Sequence, residues 1–182
     1  MRLNERQKGL WSLILVTLIW GWTFIWMKEA LNAVKSGLGT GYATMTVGLF
    51  IFLRFGIAAV ILPFLSKDAR EMRKLPGAFR NGTIVGFAFF GGFFFQLFGL
   101  DDVDPAVSAF LTSLYVVFTA LITTAMLRKL PPPFMLIGVA LATLGAGSIS
   151  GPPSLALSVG ELLSVIAALV FGIQIVLTDR LT

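Results

Sequence analysis

The sequence has no cysteine and no histidine. The first absence removes disulfides, zinc-thiolate sites and thiol nucleophiles, and the second removes the commonest general base and the commonest metal ligand. Charge is also scarce: Asp, Glu, Lys and Arg make up 13% of the chain, against a usual share of roughly 25%. That is too little to cover a water-exposed globule. What replaces it is apolar, with 57% of the 182 residues hydrophobic even when glycine is left out. The solvent this composition suits is a bilayer.

A helical span needs about 20 predominantly apolar residues. Six runs qualify: Leu10 to Met27, Ala43 to Leu65 with only Arg54 inside, Gly82 to Leu100, Ala106 to Leu127, Phe134 to Ser150, and Val159 to Thr178 with only Glu161 near its start. The runs are continuous rather than alternating, and a single helix satisfies its own backbone in lipid, so helices are expected and a barrel is not. The fold class read from this pattern is an all-α integral membrane protein with six transmembrane helices. Punctuation agrees: Gly37 to Gly41 closes the first loop, Asp104-Pro105 opens the fourth helix, Pro131-Pro132-Pro133 parts the fourth from the fifth, and Gly151-Pro152-Pro153 ends the fifth. The longest polar loop, Ser66 to Asn81, reads as a solvated connector.

Lys and Arg in short loops collect on the cytoplasmic side. Arg2, Arg6, Lys8, Lys67, Arg70, Arg73, Lys74, Arg80, Arg128, Lys129 and Arg180 fall on one side, while Lys28 and Lys35 stand on the other with the acidic turn Asp101, Asp102 and Asp104. Residues 1–9 are therefore expected in the cytoplasm, and the membrane would be the plasma (inner) membrane in a bacterium. The net charge of +5 is a topology signal of this kind, so no nucleic-acid partner is expected. A signal peptide does not fit a first run that is followed by five more.

The sixth run slides onto the first at an offset of 151, placing Trp20-Gly21 on Phe171-Gly172, Leu18 on Leu169, Ile19 on Val170 and Leu15 on Ile166. Five helices per unit is an odd number, so a second unit starting at the sixth helix enters the membrane from the opposite face. This is the inverted-repeat construction of secondary transporters. On that reading residues 10–151 form the first five-helix repeat and residues 159–178 the start of a truncated second. The chain is then expected to be a fragment of a ten-helix transporter.

Polar side chains inside these spans are the candidate site residues. Arg54 stands in mid-span, where an unpaired Arg costs about 2.5 to 3.5 kcal/mol on insertion scales, so a partner, a wet cavity or an anionic ligand is called for. Gln96, Gln174 and Tyr115 offer hydrogen bonds to a solute or to a neighbouring helix, and Trp20 offers a cavity wall. Glu161 is either a coupling carboxylate or an interfacial charge at a helix N-terminus. Gly82 with Gly86 and Ala142 with Ala146 have the small-x-x-x-small spacing that lets helices approach, and the Gly91-Gly92 pair near the expected midplane is a further helix-packing candidate. The phenylalanines at 87, 89, 90, 93, 94, 95 and 98 surround the third run and read as packing or lipid-facing residues.

Trp20-Gly21, Arg54 with Ala58, Gly82, Gly86, Gln96, Gly99-Leu100, the run Ala109 to Thr119, Arg128-Lys129 with Pro131, Gly138 and the run Ile175 to Arg180 together resemble the EamA-like branch of the drug/metabolite transporter superfamily. The resemblance implies ten helices in two inverted five-helix units, a substrate path between them and both termini in the cytoplasm. It leaves the cargo open among amino acids, other metabolites, drugs and nucleotide-linked sugars. The sequence departs from the pattern at Ala120, where relatives often carry Pro, and at Arg128, where many carry Glu.

The expected function is a secondary transporter, permease or exporter, of small organic metabolites working by alternating access. The alternative is a non-transporting membrane subunit or assembly partner. An intramembrane enzyme would lack its parts, since the spans hold no Asp pair, His or Cys, and neither cofactor nor metal is expected. The expected partners are the lipid bilayer, a small organic solute, and either a second five-helix repeat or a homodimer mate.

Overall fold

A computed structural model describes residues 5–39, 42–72, 74–128, 133–149 and 157–181. Thr40, Gly41, Arg73, Lys129, Pro131, Pro132, Ser150 and the Gly151-Pro152-Pro153 turn lie outside the described residues, as do the side chains of Ala142 and Ala146. The described residues form eight helices: α1 (Glu5–Leu38), α2 (Ala43–Leu65), α3 (Lys67–Met72), α4 (Ala78–Asp102), α5 (Pro105–Ser113), α6 (Tyr115–Met126), α7 (Pro133–Ile149) and α8 (Val159–Leu181). Stretches in α1, α2, α4, α5 with α6, and α8 are long and apolar enough to cross a membrane, making five such spans among the described residues. The fifth run in sequence order is α7, whose 17 residues fall just short of that length. The chain is an all-α, multi-pass membrane protein.

Three boundaries differ from the sequence reading. Lys28-Glu29 does not end the first helix: α1 has 34 residues, about 50 Å at 1.5 Å per residue, and so overshoots a hydrocarbon core of about 30 Å. The charge is tolerated because the Lys28 ammonium donates to three backbone carbonyls, those of Leu100 at 2.7 Å, Asp101 at 2.8 Å and Val103 at 3.0 Å. These are carbonyls at the end of α4 that the helix itself cannot satisfy, and a cation there also meets the negative end of the helix dipole. Lys35 adds an ion pair to Asp101 at 2.5 Å. Second, the 66–81 connector contains the short α3, whose first turn is capped by Ser66 Oγ accepting from the Ala69 N–H at 3.2 Å. Third, the fourth span is broken into α5 and α6 at Leu114. There the Leu114 N–H bonds back to Leu111 O, three residues away, and Ser113 Oγ donates to Phe110 O at 2.6 Å. Such side-chain bonding and a tightened turn interrupt the regular ladder.

The start of α5 follows from its sequence: Asp104 Oδ1 accepts from the Ala106 N–H at 2.9 Å, and Pro105 occupies the first helical position, where a missing N–H costs nothing. At the start of α8, Glu161 Oε2 accepts from the Ser158 N–H at 2.8 Å while Ser158 Oγ accepts from the Glu161 N–H at 3.2 Å. This reciprocal capping box gives Glu161 a definite structural task.

The packing centre is the pair α4 and α8, which share the most extensive interface among the described residues. The buried residues of α8 are Gly160, Ser164, Ala167, Ala168, Phe171, Gly172 and Val176, a stripe at helical spacing made mostly of small side chains. Facing it, α4 buries Gly92, Phe93, Gln96, Leu97, Gly99 and Leu100. The backbones nearly touch at Gly99 and Gly160, where a Cβ on Gly99 would lie 2.7 Å from Gly160 O and one on Gly160 would lie 2.8 Å from Gly99 O. Farther along, the Phe171 ring fills the space a Cβ on Gly92 would need, at 2.5 Å. From α1, Phe24, Met27 and Leu31 close the core together with Val47 and Ile51 of α2. The other end is tied by Asn81 of α4, whose Nδ2 donates to Leu181 O at the end of α8, at 2.8 Å.

Candidate functional site

Where α1, α4, α5, α6 and α8 converge they leave a cavity of about 520 Å³, within the 300 to 1,000 Å³ range typical of small-molecule sites. Its walls are Val16, Thr17, Trp20, Gly21 and Phe24 of α1, Phe89 and Gln96 of α4, Ala109, Thr112 and Ser113 of α5, Tyr115 of α6, and Phe171, Gln174 and Ile175 of α8. Four of the candidates read from sequence thus meet in one place: Trp20, Gln96, Tyr115 and Gln174. The break at Leu114 lies in the wall, between Ser113 and Tyr115. Discontinuous helices beside a site are a recurring feature of membrane transporters.

The polar groups of the cavity are tied into the protein, Thr17 and Ser113 to carbonyls of their own helices. Gln96 is buried, and its Nε2 donates to Thr112 Oγ1 at 3.3 Å, while its Oε1 has no hydrogen-bond partner. An unsatisfied buried acceptor costs about 1 to 3 kcal/mol, and this oxygen is closed off from the cavity by its surroundings. Gln174 is tied in the same way, its Nε2 donating to Thr178 Oγ1 at 2.8 Å. One layer deeper, Ser108 Oγ and Ser164 Oγ are 3.3 Å apart, and Ser164 Oγ donates to Gly160 O at 2.9 Å. Among the described residues, no ionisable group other than the Tyr115 phenol lines the cavity.

The apolar wall is organised around Phe93. Its ring packs edge to face with Phe55, Phe89 and Phe171 at centroid separations of 5.2, 5.1 and 5.3 Å, and lies 6.3 Å from Trp20 at a tilt of 41°. Aromatic pairs of this geometry add about 0.5 to 1.5 kcal/mol each beyond the area they bury. Arg54 is not among the lining residues. Its guanidinium carbon stands 4.9 Å from the centre of the Phe93 ring and 5.9 Å from that of Trp20, with Nη1 reaching Met27 Sδ at 3.9 Å. Among the described residues no carboxylate pairs with it, so the rings and the sulfur are its partners. Arg54 therefore stands behind the cavity wall rather than in it, and cation-π attraction offsets part of its desolvation.

The remaining candidates sit elsewhere. Glu161 is at the capped start of α8, outside the cavity lining. A Cβ on Gly82 or Gly86 would meet nothing within 4 Å, so those two glycines face open space instead of a helix among the described residues; Gly91 makes an ordinary contact with Val170 at 3.7 Å. The sequence reading passed over Thr112, Ser108, Gly160 and Ser164. The signal was present as Gly160, Ser164 and Ala168, small residues four apart, continuing the rule already applied to Gly82 and Gly86.

The fold and cavity define a class: an all-α multi-pass membrane protein whose helices border a solute-sized, mostly apolar and partly open cavity. The chain belongs to the EamA-like transporter family, which matches residues 7–151. A protein of Archaeoglobus fulgidus described as an uncharacterized transporter is 33% identical over 169 residues, covering 93% of this chain and 48% of that protein. The chain thus spans about half the length of the curated relative it matches. No solved structure matches the sequence.

Proposed function

We propose that the protein is a secondary transporter that moves small organic metabolites by alternating access, with the described cavity as part of the solute path. The observation that carries this reading is the convergence of Trp20, Gln96, Tyr115 and Gln174 on one chamber of about 520 Å³, inside a chain that belongs to a transporter family. The offset of 151 supports it further. It relates Trp20 to Phe171, and these two residues flank the same Phe93 ring from α1 and from α8. That placement is what a five-helix unit followed by the start of its inverted copy would produce. The basic residues put the N-terminus in the cytoplasm. The rest of the path would come from a second five-helix repeat or from a homodimer mate, and Arg54 would brace the wall from behind.

The test is transport by the full chain reconstituted in vesicles, screened against small organic solutes by counterflow. Saturable exchange is expected. Gly21 lines the cavity, and a Cβ there would meet nothing within 4 Å, so Gly21→Leu should fold while obstructing the chamber and lowering transport at least tenfold. Undiminished transport by folded Gly21→Leu would remove the cavity from the path. Arg54→Ala, expressed normally, should impair transport by loosening Trp20 and Phe93. The subunit alternative would be favoured by a well-folded protein that moves nothing in the screen.

A further inference from the structure

The basic side chains at the two ends of α4 fall into two groups, and only one group has a use inside the protein. We propose that the connector between α2 and α4, together with the adjoining end of α8, is a contact surface for the headgroups of anionic phospholipids. Phe64, Leu65, Leu75 and Phe79 sit in it at the acyl-chain boundary, and Lys67, Arg70, Lys74, Arg80 and Arg180 supply the cations for the phosphates. The proposal is independent of the solute-path reading.

Three observations lead there. First, at the C-terminal end of α4 both lysines are committed to the protein: Lys28 to the carbonyls of Leu100, Asp101 and Val103, and Lys35 to the Asp101 carboxylate. About 37 Å away, at the other end of this 25-residue helix, Lys67, Arg70, Lys74, Arg80 and Arg180 are all exposed. Among the described residues none of these five side chains makes an ion pair or a hydrogen bond. Residues 66–81 hold five basic and two acidic residues, and Asp179-Arg180 add one of each, so six basic against three acidic leaves a net charge of +3. Second, Phe79, Phe64 and Leu65 are the most exposed large apolar residues described, at 89, 81 and 80%. Phe64 and Leu65 end one span and Phe79 stands at the start of the next, where hydrocarbon gives way to headgroups. Leu75 belongs to neither span and is exposed as well. Apolar residues interleaved with basic ones suit a segment lying in the interface, whereas a connector surrounded by water gains nothing from them. Third, the segment is folded back on itself. The Lys74 N–H donates to Glu71 O at 2.9 Å and the Ala78 N–H to Leu75 O at 3.1 Å, with Gly77 at a φ of 81° completing the second turn. Asn81 Nδ2 donates to Leu181 O at 2.8 Å, which brings Arg80 and Arg180, each one residue earlier, to the same corner. Basic residues gathered at a membrane surface add their attractions to an anionic leaflet.

The test places the full chain in phosphatidylcholine bilayers with a trace of spin-labelled phosphatidylglycerol or phosphatidylcholine and reads the motionally restricted share of each. Phosphatidylglycerol should associate at least about fivefold more strongly, the equivalent of one basic residue close to the surface, and the ratio should shrink in roughly 1 M salt. Combining Lys67→Gln, Arg70→Gln, Lys74→Gln, Arg80→Gln and Arg180→Gln should bring the ratio below about twofold. A local probe decides the matter if that variant does not fold. The chain has no cysteine, so Leu75→Cys accepts a single nitroxide. Its collisions should favour oxygen, which concentrates among acyl chains, over an aqueous nickel chelate, and adding phosphatidylglycerol to the bilayer should strengthen that preference. A ratio near one in the parent, a ratio unmoved by the five substitutions, or a Leu75 label that meets mainly the nickel chelate or ignores phosphatidylglycerol would each overturn the proposal. Displacement of the labelled lipid by inorganic phosphate, at an ionic strength where chloride has no effect, would overturn it too by assigning the surface to the free anion.

Discussion

Two parts of this molecule share a composition and differ in how they pack. The interface of α4 with α8 is close, with backbones nearly in contact at Gly99 and Gly160. The first half of α1 and most of α2 are equally apolar yet stay exposed along nearly their whole surface, from Leu10 to Trp22 and from Phe52 to Leu65. In lipid, apolar surface gains nothing by meeting apolar surface, because the acyl chains are as apolar as leucine. What separates the two regions is side-chain size and hydrogen bonding. The α8 stripe offers Gly, Ala and Ser at every turn and α4 answers with glycines, whereas the exposed stretches of α1 and α2 carry mostly large residues, and glycines there such as Gly21 and Gly56 have nothing opposite within 4 Å. Association here is decided by how near two backbones can come.

The largest effect should follow from spoiling that approach. A Cβ on Gly160 would sit 2.8 Å from both Gly99 O and Asp102 Cβ. The first of these is backbone and the second is fixed to it, so no rotamer change relieves the overlap. Gly160→Leu should cost about 3 kcal/mol or more and Gly160→Ala about 1 to 3 kcal/mol. Thermal unfolding in detergent, followed by loss of the monodisperse peak, measures both. A Gly160→Leu protein as stable as its parent would show that the glycine contact is incidental and that the contrast between the regions has another cause.

Next in size is the tie between the two regions. Lys28 of α1 holds three carbonyls at the end of α4, and Lys28→Met keeps its apolar stem while leaving those acceptors unpaired. About 2 kcal/mol should be lost, in keeping with hydrogen bonds to a charged group. Lys35→Ala removes only the partly exposed ion pair to Asp101 and should cost between about 0 and 1 kcal/mol. If the two lysines proved equivalent in the same melting assay, the carbonyl cluster would carry no special weight. Smaller again is Ser158→Ala, which removes one half of the α8 capping box and should cost about 1 kcal/mol.

Much of this arrangement is legible in the sequence. Uncharged runs of about 20 residues sufficed for the spans because lipid makes an intact helix the cheapest way to cross. The polar side chains inside those runs were readable as site candidates for the same reason, and Trp20, Gln96, Tyr115 and Gln174 do come together. Other features depended on partners distant in the chain. The helix runs on past Lys28 because of carbonyls some 72 to 75 residues later, which no local pattern announces. The break at Leu114 has no proline to mark it, only a Ser hydroxyl turned back on its own helix. Arg54 looked equally suited to lining a site or bracing one, and its place behind Phe93 depends on how α2 docks on α4. Among the glycines, spacing alone gave Gly82 and Gly86 the same standing as Gly99 and Gly160. Which of them meets a helix is a matter of tertiary packing.

That last distinction gives the smallest effect and the sharpest control. A Cβ at Gly86 meets nothing within 4 Å, so Gly86→Ala adds no overlap, and alanine is a better helix former than glycine by roughly 0.5 to 1 kcal/mol. The substitution should leave stability unchanged or raise it by that amount in the detergent melt used for Gly160. It inserts the same methyl group into the same kind of helix and differs from Gly160→Ala only in what stands opposite. A clear loss at Gly86 would mean that a helix from outside the described residues, from a second repeat or a second copy of the chain, seats against this face of α4. The open surface beside Gly82 and Gly86 would then be the place to look for that partner helix.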